Sequence, residues 1–303
     1  MRVRIDNIYK SFTNKKVLDG ITFEAESGKA IGLLGRNGAG KTTTIRIIMG
    51  VFNSDSGKIL LDGKPINRQK VRIGYLPEER GLYPKKIVME QILYLSQLRG
   101  LSKNEAKESA TRLLEKLQMT EYANKKLDTL SKGNQQKIQL VATLACNPDI
   151  VILDEPFSGL DPVNAMLLKD MVKDLINDGK VLIFSSHQMS YVEEFCDNIA
   201  ILNGGKIVRD GLIKNIKKSY DRNKILISSS QVDKIKLFTD EKLREIVINS
   251  TIEKQMLRIE LKNAVDKNKL MTVLGENNFD IDSFSVYEPS LNDIFVEYTE
   301  DRL

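Results

Sequence analysis

Metal-ligating side chains are scarce in this 303-residue sequence, which has two cysteines and a single histidine. A structural zinc site needs about four such ligands in close array, and Cys146, Cys196 and His187 cannot supply one. The low cysteine count also excludes a secreted disulfide scaffold. Both cysteines lie beside apolar neighbours and read as small core residues. Long apolar runs are missing too. The longest, Leu140 to Cys146, falls far short of the roughly 18 to 20 residues that span a bilayer. Met1-Arg-Val-Arg-Ile-Asp6 opens directly into strand-like alternation, so no signal peptide is expected, and the chain is expected to be soluble and cytoplasmic. Charge of one sign is not in excess either. With 46 Lys and Arg against 41 Asp and Glu, the net charge of +5 obliges no nucleic-acid partner. The 41% hydrophobic and 29% charged residues, with only seven prolines, describe a packed globular chain of about two domains.

Strand-length apolar runs alternate with helix-period stretches through the first two-thirds, the rhythm of a parallel α/β sheet. Ala30–Leu34, Ile73–Leu76, Ile150–Leu153 and Val181–Phe184 are expected strands; the first, third and fourth are apolar enough to be covered on both faces. Between Val88 and Leu117 the period changes to that of amphipathic helices, with Leu93, Leu95 and Leu98 on one stretch and Ala106, Ala110, Leu113, Leu114 and Leu117 on the next. An inserted helical subdomain is expected over about 85–148. A second unit is expected over 219–303, after the basic segment Lys214 to Lys218, itself read as a solvated linker face. Its order is strand (Ile225, Ile227), helix from Val232, strand (Ile246, Ile248), strand (Leu257, Ile259, Leu261), helix around Leu270, strand (Phe279, Ile281). That is the order of a small α+β ferredoxin-like sandwich. A last helix comes after Pro289, with Ser290 as N-cap, Asp293 three residues on, and Leu291, Ile294, Phe295 and Tyr298 as its apolar stripe.

Gly35-Arg-Asn37-Gly38-Ala-Gly40-Lys41-Thr42 fits the phosphate-binding loop G-x-x-x-x-G-K-[ST], and Thr43 continues it into a helix. Glycines let successive N–H groups turn inward on phosphate oxygens, and the helix N-terminus adds its positive dipole end. Lys41 is expected to reach the β- and γ-phosphates and Thr42 to coordinate Mg2+. Asp154 ends a buried strand, where a carboxylate is costly unless it meets a cation, and fits as a direct or water-bridged Mg2+ anchor. Glu155 is the candidate general base for an attacking water. His187 stands just past a strand end, where ligands collect in an open α/β sheet, and is a candidate γ-phosphate contact.

Leu130-Ser131-Lys-Gly133-Asn-Gln-Gln-Lys137 resembles the signature of the ATP-binding cassette (ABC) family. The phosphate loop, this signature, the Asp154-Glu155 pair, Ser158-Gly-Leu-Asp161 and His187 come in that family's order from residue 1 to about 215. The resemblance implies a P-loop ABC cassette over 1–218 and a head-to-tail dimer holding two ATP and Mg2+. Ser131 and Gly133 then contact the γ-phosphate of the ATP held by the partner subunit, Asp161 links the two sites, and Phe12 stacks on adenine, with Tyr9 as the rival aromatic. Three departures stand out: Lys132 replaces a glycine, Asn134 replaces a glutamine, and Glu78 replaces a glutamine that ligates Mg2+. Lys132 either adds charge near phosphate or faces water. An ionised Glu78 can still ligate the metal but cannot donate a hydrogen bond.

Pro77-Glu-Glu-Arg-Gly-Leu-Tyr-Pro84, Ser131-Lys-Gly-Asn134 and Ser290-Leu-Asn-Asp-Ile-Phe295 resemble ATPase subunits of bacterial sodium-extrusion and drug- or peptide-export systems with a C-terminal accessory domain. The resemblance implies an ATPase at the inner face of the cell membrane that drives a separate membrane-spanning permease, docked near Glu78 to Tyr83. No metal other than Mg2+ and no nucleic acid is expected. The stretch from Lys41 to Leu130 is too short for the long coiled-coil arm of DNA-repair cassettes.

Overall fold

The structure is a computed structural model and describes every residue except 14, 80, 221, 254 and 301–303. Arg80 of the Pro77–Pro84 segment therefore lies outside the described residues. Elements are numbered in chain order. The first unit comprises Met1–Ile213 with the C-terminal residues from Phe295 onward, and the second Lys214–Ile294. The two units divide at 213/214, against an expected 218/219, and the C-terminal residues join the first unit, where the Tyr298 carbonyl accepts a hydrogen bond from Asn203 Nδ2 at 3.2 Å.

Two sheets build the first unit. β1 (Arg2–Phe12), β2 (Lys15–Glu26), β4 (Ser56–Leu61) and the short β5 (Lys64–Pro65) form an antiparallel sheet in the order β2-β1-β4-β5. β3 (Lys29–Leu34), β6 (Ile73–Leu76), β7 (Ile150–Asp154), β8 (Val181–Ser185), β9 (Asn198–Asn203) and β10 (Lys206–Leu212) form the other, in the order β10-β9-β3-β8-β7-β6. Five strands of this second sheet run parallel and β10 pairs antiparallel on β9. Every residue of β7 and β8 is buried, as their unbroken apolar sequences demand. α1 (Lys41–Met49) contributes Ile45, Ile47 and Ile48 to one core with Ile5, Phe23, Ile152 and Ile183, drawn from both sheets.

Strand register sets up the carboxyl edge of this sheet. Leu76 pairs with Leu153 and Asp154 with Ser185, so β6, β7 and β8 end side by side. β3, next to β8, ends at the phosphate loop on the same edge. α5 (Pro162–Asn177) and α6 (Met189–Phe195) also belong to the first unit.

The helical subdomain consists of α2 (Val88–Leu98), α3 (Lys103–Lys116) and α4 (Lys132–Leu144). α3 starts on a capping box, with Ser102 Oγ accepting from the Glu105 N–H and the Glu105 carboxylate from the Ser102 N–H. α3 buries Ala106, Ala110 and Leu114 as expected. α2 does not bury the stripe its leucines suggest. Its inner face is Val88, Gln91, Ile92 and Ser96, while Leu98 is 66% exposed. Gln91 turns inward because its amide answers backbone groups of Tyr83 and Lys86.

A short helix, α7 (Ile213–Lys218), opens the second unit. There β11 (Lys224–Ser228), β12 (Val247–Glu253), β13 (Met256–Leu261) and β14 (Ser283–Val286) form an antiparallel sheet in the order β12-β13-β11-β14. α8 (Val232–Lys242) and α9 (Lys267–Glu276) place Ile235, Leu270 and Leu274 in a core with Ile225, Ile227, Leu257, Ile259 and Leu261. This is the ferredoxin-like split of two βαβ halves. The strand expected at Phe279 and Ile281 instead begins at Ser283, because Phe279 turns in as a plug against Phe238, ring centroids 5.3 Å apart. α10 (Leu291–Thr299) comes last, capped by Ser290, whose Oγ accepts from the Asp293 N–H at 3.1 Å.

Ile259 is fully buried on the inner strand β13. Ile259→Ala should cost the second unit about 2–5 kcal/mol, read as a lower urea midpoint; an unchanged midpoint would contradict its core position.

Candidate functional site

An open cavity of about 900 Å³ lies at the carboxyl edge of the parallel sheet, a size typical of ligand sites. Gly35, Asn37, Gly38, Gly40, Lys41, Thr42, Thr43, Glu78, Asp154, Glu155 and His187 all line it. The phosphate loop, the acidic pair, Glu78 and the lone histidine are thus brought together from four parallel strand ends, β3, β6, β7 and β8. The loop's shape depends on missing side chains. A Cβ on Gly35 would stand 2.5 Å from the Leu202 carbonyl oxygen, and Gly40, at φ 115°, would drive one to 2.6 Å from Leu18 Cδ2. Gly40 also precedes α1, so free N–H groups of its first turn open on the cavity.

Lys41 Nζ donates to the Gly35 carbonyl at 2.5 Å, curling over its own loop. Burial pulls its ammonium below the ordinary lysine value, while Asp154, Glu155 and Glu78 pull the other way. A cation held among three carboxylates and partly stripped of water is well placed to take a polyphosphate.

Asp154 and Glu155 are 7% and 8% exposed, so their charges need partners. Asp154 accepts from Ser185 Oγ on the paired strand and from the Tyr75 hydroxyl at 3.3 Å. Burial first and Asp154 second push the Tyr75 hydroxyl up to about 12, which keeps it a donor. Glu155 adopts a left-handed backbone (φ 50°), a strain of order 1 kcal/mol, and its N–H bonds the Ser185 carbonyl at 2.9 Å. Its carboxylate accepts from the His187 N–H at 2.7 Å and Ser186 Oγ at 3.1 Å, and His187 Nδ1 lies 2.9 Å from Oε2. The imidazole itself is 69% exposed, so its far edge is open to the cavity.

Thr42, Glu78 and Asp154 offer hard oxygen donors among the residues lining the cavity. That set fits Mg2+, which uses one or two carboxylates with substrate phosphates and keeps several waters. It does not form a dedicated metal cage: among the described residues no group of three or more His, Cys, Asp or Glu could hold an ion.

Four expected site residues lie elsewhere. Ser131 caps α4, its Oγ accepting from the Asn134 N–H at 3.3 Å; Gly133 is in the first turn of that helix; Asp161 caps α5 through the Val163 and Asn164 N–H groups at 3.0 Å. None of the three lines the cavity. Lys132 is exposed. Phe12 does not line it either; its ring meets Phe52 edge-on at 5.4 Å. Sequence reasoning missed Tyr75, Ser185 and Ser186, which hold the carboxylates. It also missed Gln139, whose amide reaches the Pro77 and Glu79 carbonyls at 3.3 and 3.1 Å and so ties α4 to the segment carrying Glu78.

The description "ABC transporter" matches residues 18–158, and "ATP-binding protein DrrA1-3-like, C-terminal domain" matches 211–299. The ABC transporter ATP-binding protein YhaQ of Bacillus subtilis is 42% identical over 97% of both chains. This chain belongs to the ABC transporter ATP-binding proteins. LnrL, the linearmycin resistance ATP-binding protein of the same species, is 32% identical over 98% of both chains. LptB, the lipopolysaccharide export system ATP-binding protein of Haemophilus influenzae, is 32% identical over 68% of this chain and 88% of its own. A solved ATP-binding subunit of an ABC transporter superposes with a TM-score of 0.67 at 28% identity, over 72% of this chain and 92% of its own. The cassette is an ATPase and binds ATP.

Lys41→Ala should weaken ATP binding by at least about tenfold in a titration, since it removes the charge-assisted contact that a point cation gives phosphate. Unchanged affinity would place the triphosphate outside this loop.

Proposed function

We propose that this chain is the motor subunit of an exporter, in which two copies close around two ATP and drive a separate membrane-spanning permease. The observation that carries the reading is the split site. Glu155, Lys41 and His187 share one open cavity, while Ser131, Gly133 and Asp161 stand away from it at helix N-termini of the same chain. A second copy laid head to tail brings its α4 N-terminus, with Ser131 Oγ and the free N–H groups of the first turn, onto the γ-phosphate. Closure is then ligand-driven, because only the closed pair makes both sets of contacts.

Within the cavity the loop N–H groups and Lys41 hold the β- and γ-phosphates. Thr42, Asp154 and Glu78 would hold Mg2+, which neutralises developing charge on the phosphate oxygens. Glu155 takes a proton from the attacking water, and the exposed edge of His187 faces the γ-phosphate. Both Glu155 oxygens are occupied by Ser186 and His187. Freeing one of them is the rearrangement that activates the base.

The permease docks in the groove between sheet and helical subdomain near Glu78 to Tyr83, where Tyr83 exposes 61% of its surface and, on the adjoining α2, Tyr94 and Leu98 expose 56% and 66%. Gln139 relays that contact toward Glu78 through its two carbonyl bonds. Residence at the inner face of the cell membrane follows from such a partner; among the described residues no helix is long and apolar enough to cross a membrane. Export is favoured by relatives named for lipopolysaccharide export and linearmycin resistance.

Glu155→Gln should lower ATP hydrolysis by roughly 10²–10⁴-fold, the scale of a lost general base, while ATP binding persists. Purified with ATP from gently solubilised membranes, it should elute as a dimer with a stoichiometric multi-spanning protein. A persistent monomer would sink the closed-pair reading, and ribosomes or nucleic acid in place of a membrane protein would sink the exporter.

A further inference from the structure

The cavity wall is rich in charge and poor in apolar side chains. Among its described lining residues only Val17 and Phe295 present them. A nucleoside triphosphate needs both kinds of wall, because its base has two flat π-faces that gain most from an aromatic neighbour. Phe12, 44% exposed and meeting Phe52 edge-on, does not line the cavity. Tyr9 turns its hydroxyl end toward Gly20 and does not line the cavity.

Phe295 reaches the cavity from the far end of the sequence. It sits midway along α10 and belongs to the first unit, so the cavity it lines lies within that unit. Its side chain is half-buried and has no aromatic partner among the described residues. The next turn of the helix is pinned to the cassette. The Tyr298 carbonyl accepts from Asn203 Nδ2 at the end of β9, and the Arg209 guanidinium of β10 lies 5.9 Å from the Tyr298 ring centroid. A half-buried ring held in place at the edge of a phosphate site has the chemistry of a base platform.

We propose that Phe295 supplies the aromatic surface on which the base of the bound nucleotide rests, making the last helix of the chain part of the nucleotide site. The proposal rests on the cavity being the ATP site. It requires that the contribution of Phe295 be felt by ligands with a base and not by ligands with phosphates alone.

The test compares ADP with inorganic pyrophosphate in calorimetric titrations of the full chain, neither ligand being turned over. Phe295→Ala should weaken ADP about tenfold, the scale of one lost base stack, and leave pyrophosphate affinity unchanged. Phe295→Leu, which keeps apolar volume in place, should show the same base-dependent loss, and Phe295→Tyr should retain wild-type affinity. Unchanged ADP affinity in Phe295→Ala overturns the proposal. So does an equal loss for pyrophosphate, which would mark a general distortion, or a base-dependent loss in Phe12→Ala with none in Phe295→Ala. A wild-type chain that binds neither ligand overturns the ATP-site reading itself, a distinct failure.

Discussion

Two carboxylates stand almost fully buried at the end of a strand, and the cassette is arranged around giving them hydrogen-bond partners. Asp154 and Glu155 would be expensive to desolvate alone. Each is answered from the neighbouring strand and the residues just past it, Asp154 by Ser185 and Glu155 by Ser186 and the His187 backbone. Those bonds exist because β7 and β8 are parallel and in register, with Asp154 opposite Ser185. Slip the register by one residue and the donors face the wrong side. Lys41 completes the balance from the adjacent loop and is itself partly desolvated among the acids. A triphosphate entering this place meets a cation and backbone dipoles on one side, and buried carboxylates on the other.

Much of this could be read from the sequence because its chemistry is local. The phosphate loop, the strand-ending acids and the lone histidine carry their meaning in a few adjacent residues, and the buried strands announce themselves by unbroken apolar runs. The ferredoxin-like unit was legible for a similar reason, as alternation in β11 and β13 tracks the sheet faces. Tertiary packing decides the rest. Gln91 looks like part of a polar helix face, yet α2 buries it because neighbouring backbone needs its amide. Phe279 and Ile281 alternate like a strand but one of them serves as a plug. Tyr75, Gln139 and Phe295 matter through contacts with residues far away in sequence, and no spacing rule connects them.

Two of the departures from the family pattern take on physical meaning in the fold. Lys132 lies exposed at the first turn of α4 rather than in a cavity of its own chain, so its charge is available to whatever approaches that helix end. Glu78 lines the cavity with Thr42 and Asp154. Gln139 ties the segment carrying Glu78 to the helix that Ser131 caps through one side-chain amide.

Cys146 and Cys196 are both buried, and burial pushes both thiols up, away from the reactive thiolate. Burial therefore shields both thiols from oxidants and alkylating reagents while the chain is folded. A single cysteine placed on its surface would be the one point of attachment for a dye or spin label, with the native pair left untouched.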